Sequence, residues 1–130
     1  MGQFKQQIQH ACRRALQPVA RGVRSLLTPP TPPIEFGWHQ IEAGPAAGAH
    51  VMLPSNTPIA EAITAGDYDQ KILQVVESLV GKDDVCFDIG GHYGCYTLSL
   101  AKLVVDGQVH TFEPVPAHAE RIRAAAKKSE

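Results

Sequence analysis

The chain has 130 residues, with 12 Lys and Arg against 13 Asp and Glu, 44% hydrophobic residues and a formal net charge of −1, which describes one globular unit and excludes a second full domain. A near-neutral balance gives no basic footprint for nucleic acid, and no run approaches the roughly 18 uninterrupted apolar residues that span a bilayer. Cys12, Cys86 and Cys95 form neither an even framework nor a metal-type pair, in a chain without a recognisable secretory signal, so a reducing cytoplasm is the expected compartment.

Residues 1–27 read as a basic amphipathic helical arm. Phe4, Ile8, Cys12, Leu16, Val19, Val23 and Leu26 recur three or four apart, Pro18 interrupts the pattern, and Lys5, Arg13, Arg14, Arg21 and Arg24 lie in a stretch without acids. Such an arm either covers a neighbouring apolar surface or makes weak peripheral contact with an anionic membrane. Gln6 stands where a myristoylation signal needs Ser or Thr, which excludes that modification.

Thr28-Pro-Pro-Thr-Pro-Pro33 is a semi-rigid linker, because each proline fixes its own φ and pushes the preceding residue out of the α region. Residues 34–66 are expected to hold a hairpin and a short helix: two strand-like runs, 34–41 and 50–53, flank Ala43-Gly-Pro-Ala-Ala-Gly48, and Thr57, Pro58 and Gly66 supply a cap, a first position and a stop. Asp67 or Asp69 then starts a second helix with Ile72, Leu73, Val75, Val76, Leu79 and Val80 on its apolar face.

Residues 67–130 form the expected core domain. Val85 to Ile89 is a short apolar run, read as a strand buried on both faces. Gly90-Gly-His-Tyr-Gly94 follows, then a helical stretch to Val104, a turn at Asp106-Gly107, a second strand over 109–112, and a helix from Pro116 to Lys128. The order strand, glycine loop, helix, strand, helix implies a parallel pair and the opening of an open α/β sheet.

Open α/β sheets bind ligands at the carboxyl ends of their strands. Asp88 and the loop Gly90 to Gly94 lie at one such end, and Glu113, 19 residues after Gly94, lies at the next. A carboxylate there accepts hydrogen bonds from both hydroxyls of an adenosine ribose. His92 occupies the position where a dinucleotide fingerprint needs glycine, which disfavours a pyrophosphate. S-adenosylmethionine suits the set better: Asp88 attracts its ammonium and the loop amides receive its carboxylate.

Val85-Cys-Phe-Asp-Ile-Gly-Gly-His-Tyr-Gly-Cys-Tyr-Thr-Leu-Ser-Leu-Ala101, followed by Val109-His-Thr-Phe-Glu-Pro-Val-Pro116, resembles the start of the FkbM-type S-adenosylmethionine-dependent methyltransferases. The resemblance covers residues 66–128 and includes Gly66-Asp-Tyr-Asp69. It implies the opening portion of a Rossmann-like doubly wound methyltransferase sheet, of α/β class, and cofactor contacts at Asp88, Gly90, Gly94, Thr97 and Glu113. Gly91 and His92 stand where that family usually has Ala and Asn. The implied reaction is methyl transfer to a hydroxyl of a sugar or secondary metabolite, with a small-molecule or glycan acceptor. Charge balance argues against a nucleic acid partner, and His92, Cys86 and Cys95 have no further ligand at metal-type spacing, so no metal is expected.

After Glu113 there is length for one helix only, so the 130 residues are expected to be a truncated amino-terminal portion, inactive alone. Neither a catalytic base nor an oligomeric state follows from the sequence. Two alternatives stand beside this reading: a nicotinamide-dependent oxidoreductase fragment, and a non-catalytic adaptor with a degenerate cofactor site.

Overall fold

A computed structural model describes residues 33–129. The chain divides after Pro33 into two units, and the fold below is that of the second; the expected amphipathic arm, Cys12 and the linker up to Pro32 lie outside the described residues. The second unit is mixed α/β, with two sheets of two strands each and four helices.

Strands β1 (Phe36–Gln40) and β2 (His50–Pro54) form an antiparallel hairpin in the register Phe36 opposite Pro54 and Gln40 opposite His50. Gly48 N–H donates to Ile41 O at 2.8 Å and Ala47 N–H to Gly44 O at 3.0 Å, closing the connection. Alternation along β2 sends Val51 and Leu53 fully into the core.

Helix α1 (Pro58–Ala65) begins at Thr57, whose hydroxyl oxygen accepts from Ala60 N–H at 3.3 Å, with Pro58 in the first turn where it has no hydrogen bond to lose. Gly66 ends it in the left-handed region at φ 80°, and a Cβ there would stand 2.6 Å from the Ala43 carbonyl oxygen, so this corner admits glycine alone.

Helix α2 (Gln70–Leu79) starts after Asp69, but the Asp69 side chain does not cap it. Asp69 sits in the left-handed region at φ 50°, whereas a capping residue is extended, and its Oδ2 instead accepts from Tyr96 Oη at 2.9 Å. The apolar face predicted for α2 divides in two. Leu73 is buried, with Val76 and Val80 half-buried, whereas Ile72, Val75 and Leu79 face outward; a 3.6-residue period cannot turn six positions spread over so wide an arc toward one neighbour.

Strands β3 (Val85–Ile89) and β4 (Gln108–Phe112) pair in parallel, Val85 beside Gln108 and Ile89 beside Phe112, and helix α3 (Cys95–Leu103) connects them. Helix α4 (Pro116–Ser129) follows β4 and ends in Lys127 and Lys128, beside its free carbonyls. It also packs on the hairpin: the Arg121 guanidinium lies 3.7 Å from the Phe36 ring centroid, the Lys128 ammonium 5.3 Å from that of Trp38, and His50 N–H donates to Ser129 Oγ at 2.9 Å. The core runs from Ile41, Val51 and Leu53 through Ile63 and Leu73 to Leu98 and Ala125, with Tyr68, Tyr93 and Tyr96 against it.

The expectation that β3 is buried on both faces does not hold. Cys86 and Asp88 face the helical layer and are half-buried, while Val85, Phe87 and Ile89 are exposed, Ile89 by 75%; β4 shows the same alternation, with Phe112 outward. Helices cover one side of this sheet, and among the described residues no second layer covers the other. Phe87 stacks on His110 at 5.2 Å and on Phe112 at 6.3 Å across this open side. His110 faces outward from β4, with Nε2 3.2 Å from Gln108 Oε1.

Candidate functional site

The carboxyl ends of β3 and β4 are joined by the glycine loop. Gly90, His92 and Gly94 all adopt positive φ, at 91°, 48° and 85°; this succession reverses the chain and delivers Gly94 as the residue preceding α3. Glycine enters that region freely, and histidine is among the few others enriched there, with Asn and Asp. Gly91 is needed for another reason. It is buried, and a Cβ on it would stand 2.6 Å from Thr111 Cγ2 and 2.8 Å from Ile122 Cδ1, far inside ordinary contact. Around Gly90 a Cβ would meet nothing within 4 Å, so this backbone faces open space.

Glu113, one residue past β4, is fixed by two main-chain amides. His92 N–H donates to its Oε2 and Val115 N–H to its Oε1, each at 2.8 Å. Its side chain keeps 6% of its accessible surface, and His118 Nδ1 lies 3.8 Å from Oε1. These amides, Val115 first and His92 second, hold the carboxyl below the usual carboxylate range. Above it the His92 ring lies 3.8 Å from that of Tyr93 and 4.8 Å, edge-on, from that of His118. Desolvation there, with His118 adding to it, pulls His92 below its ordinary value against the opposing influence of Glu113.

Asp88 takes part in a second cluster. Thr97 Oγ1 donates to Asp88 Oδ2 at 2.5 Å and lies 3.0 Å from Thr111 Oγ1. Asp88 pairs with Thr111 in the sheet register, and Glu113 follows two residues later. At about 3.3 Å per residue and 4.8 Å between strands, the Cα atoms of the two acids are about 8 Å apart.

A cleft of about 660 Å³ opens at these strand ends, lined by Ile89, Gly90, Phe112, Glu113, Ile122 and Arg123 among others. This lies within the range of small-molecule sites. Of the residues singled out by sequence, Gly90 and Glu113 line the cleft, while Asp88, Gly91, His92, Gly94 and Thr97 stand behind or beside its wall. The loop amides are largely spent within the protein: Gly90 and Gly91 donate to Phe112 O, His92 to Glu113, and Gly94 to Gly91 O at 2.6 Å. The amides of Cys95 and Tyr96, at the start of α3, meet no acceptor among the described residues.

Sequence reasoning passed over Thr111, Phe112, Ile122 and Arg123. For Thr111 a signal existed: a parallel pairing that aligns the two apolar runs sets it beside Asp88. Ile122 and Arg123 reach the cleft through the docking of α4, which no local pattern encodes. Cys95 is buried and its thiol pushed up to about 11, by desolvation first and then by Asp69 and Asp88, which leaves it inert. Among the described residues no group of three or more His, Cys, Asp or Glu is disposed to hold a metal ion, and no helix is long and apolar enough to cross a membrane.

Comparison with protein-family models, curated proteins and solved structures finds no match.

Proposed function

We propose that the second unit is the cofactor-binding portion of an S-adenosylmethionine-dependent methyltransferase of the FkbM type, built on the opening strands of a Rossmann-like sheet and acting on a hydroxyl of a small-molecule or glycan acceptor. One observation carries this reading. The carboxylate of Glu113, at the mouth of a cleft, is bonded to the amide of His92 in the glycine loop, so the acid and the loop form one rigid edge.

The residues present fit the cofactor. Each oxygen of Glu113 accepts one backbone amide and retains a further lone pair for a ribose hydroxyl. Gly90 leaves room for a ligand to lie against the main chain. Asp88 Oδ1 receives no hydrogen bond from the described residues, which suits an ammonium. The glycine loop leads into the start of α3, whose dipole favours a carboxylate. When bound, the cofactor supplies an electrophilic methyl group on a sulfonium. The protein's part is to align it, and alignment can contribute roughly 7 to 11 kcal/mol to such a displacement.

The two departures from the family pattern have physical causes. At position 91 an alanine methyl would collide with Thr111 and Ile122. At position 92 the backbone is left-handed, a conformation open to Asn and to His alike. His92 also occupies the position where a dinucleotide fingerprint needs glycine.

Ligand-observed NMR with competition tests the proposal. S-adenosylhomocysteine should give a saturation-transfer signal that S-adenosylmethionine displaces and NAD does not, and Glu113→Gln should weaken it. A signal from NAD alone, or from neither nucleoside, refutes the methyltransferase reading.

A further inference from the structure

The Asp88 carboxylate accepts from the Thr97 hydroxyl, which in turn meets the hydroxyl of Thr111. Thr97 has a single hydroxyl hydrogen, and it goes to Asp88 Oδ2, because an ionised carboxylate only accepts. The 3.0 Å contact between Thr97 and Thr111 must therefore be donated by Thr111. Three elements contribute one residue each: Thr111 from β4, Thr97 from α3 and Asp88 from β3. A threonine in a helix divides between two χ1 wells, since its hydroxyl can turn back to a carbonyl three or four residues earlier. The Thr111 hydroxyl favours the well that faces Asp88, and each bond in the series strengthens the next.

Thr111 is itself anchored. Its backbone lies in the parallel pair beside Asp88, and its methyl fills the space left by the absent side chain of Gly91. It is also the only one of the three that lines the cleft, while Asp88 is half-buried beside it with Oδ2 engaged and Oδ1 unbonded among the described residues. We infer that Thr111 is a positioning residue, whose hydroxyl fixes the rotamer of Thr97 and through it the carboxylate of Asp88, presenting Oδ1 to the ammonium of an amino-acid-bearing nucleoside. The identity of that nucleoside rests on the function proposed above, whereas the orientation of Thr97 does not.

Two variants of the full chain separate these points. Thr111→Val keeps the methyl against Gly91 and removes the hydroxyl; Thr111→Ser does the reverse. Thr97 χ1, read from three-bond couplings, should be a single rotamer in the native chain and in Thr111→Ser, and averaged in Thr111→Val. In parallel, Thr111→Val should weaken S-adenosylhomocysteine about tenfold, consistent with the loss of an orienting bond to a charged group. It should leave 5′-methylthioadenosine, which lacks the amino-acid end, within about twofold on the same scale. An unmoved Thr97 in Thr111→Val, averaging in Thr111→Ser, or equal weakening of both ligands overturns the inference. A native chain that binds neither ligand sinks the cofactor reading alone, and the Thr97 couplings still decide the role of Thr111.

Discussion

Replacing Gly91 by alanine asks how tightly the glycine loop is wedged between β4 and α4. The new methyl would stand 2.6 Å from Thr111 Cγ2 and 2.8 Å from Ile122 Cδ1, about 1 Å inside the roughly 3.5 to 4.0 Å at which carbon atoms rest. Ile122 Cδ1 is the tip of a flexible chain and can swing away. Thr111 cannot, because it is β-branched, sits in a paired strand and is bonded to Thr97. Overpacking of this kind costs about 1 to 3 kcal/mol. The smaller entropy of the unfolded alanine chain returns about 0.4 to 1 kcal/mol, and the midpoints of the two ranges leave a net destabilisation of about 1.3 kcal/mol. Urea unfolding should show it as a lower midpoint at unchanged m-value, and a thermal melt as a fall of roughly 5 to 10 °C for a unit of this size. Thr111→Ser removes the opposing methyl, so the double variant should recover part of the loss; coupling between touching residues runs from about 0.5 to 3 kcal/mol. A neutral or stabilising Gly91→Ala, or strict additivity in the double variant, would falsify this account of the loop.

Three further outcomes are expected. Gly66→Ala should destabilise more than Gly90→Ala, since both require left-handed backbone, at about 1 to 2 kcal/mol, but only Gly66 also meets a carbonyl, at 2.6 Å; paired urea titrations check the order. Stability should decline as pH falls below 6.5, because His92, held below its ordinary value in the fold, favours the neutral form there, and should decline again at about pH 4.5 and below as the depressed Glu113 carboxyl is protonated; His92→Asn, which tolerates the same backbone, should abolish the first step, and its persistence would show that another group is responsible. Phe87→Ser together with Ile89→Ser should lower self-association in sedimentation velocity while changing unfolding free energy by no more than about 0.5 to 1 kcal/mol, because both side chains are mostly solvent-exposed; loss of the fold would mean that the outer sheet face is already covered.

Local chemistry was legible wherever it sufficed. Thr57, Pro58 and Gly66 bound α1 because a cap, a fixed φ and a left-handed stop act within a few residues. The order from β3 through the glycine loop to β4 followed from short apolar runs and turn residues in the same way. Longer-range pairing was not legible. Asp69 carries a good capping side chain, yet its backbone is left-handed and its carboxylate accepts from Tyr96, 27 residues away. An apolar run such as Val85 to Ile89 reports affinity for a nonpolar environment without telling how many layers supply one, so the open outer face of β3 escaped. At the site, the alternation that sets Thr111 beside Asp88 lay in the sequence, but the partnership of Glu113 with His92 spans 21 positions and arises only once the loop has turned.

The fork of Glu113 sets a demand on length. Its two oxygens act as struts, one bracing the turn that precedes α3 and the other the turn that opens α4. An aspartate, one methylene shorter, would reach one strut and release the other; a glutamine would offer a hydrogen where an oxygen is required. Two helices thus share a single keystone, and any ligand that grasps it from the cleft tightens both at once.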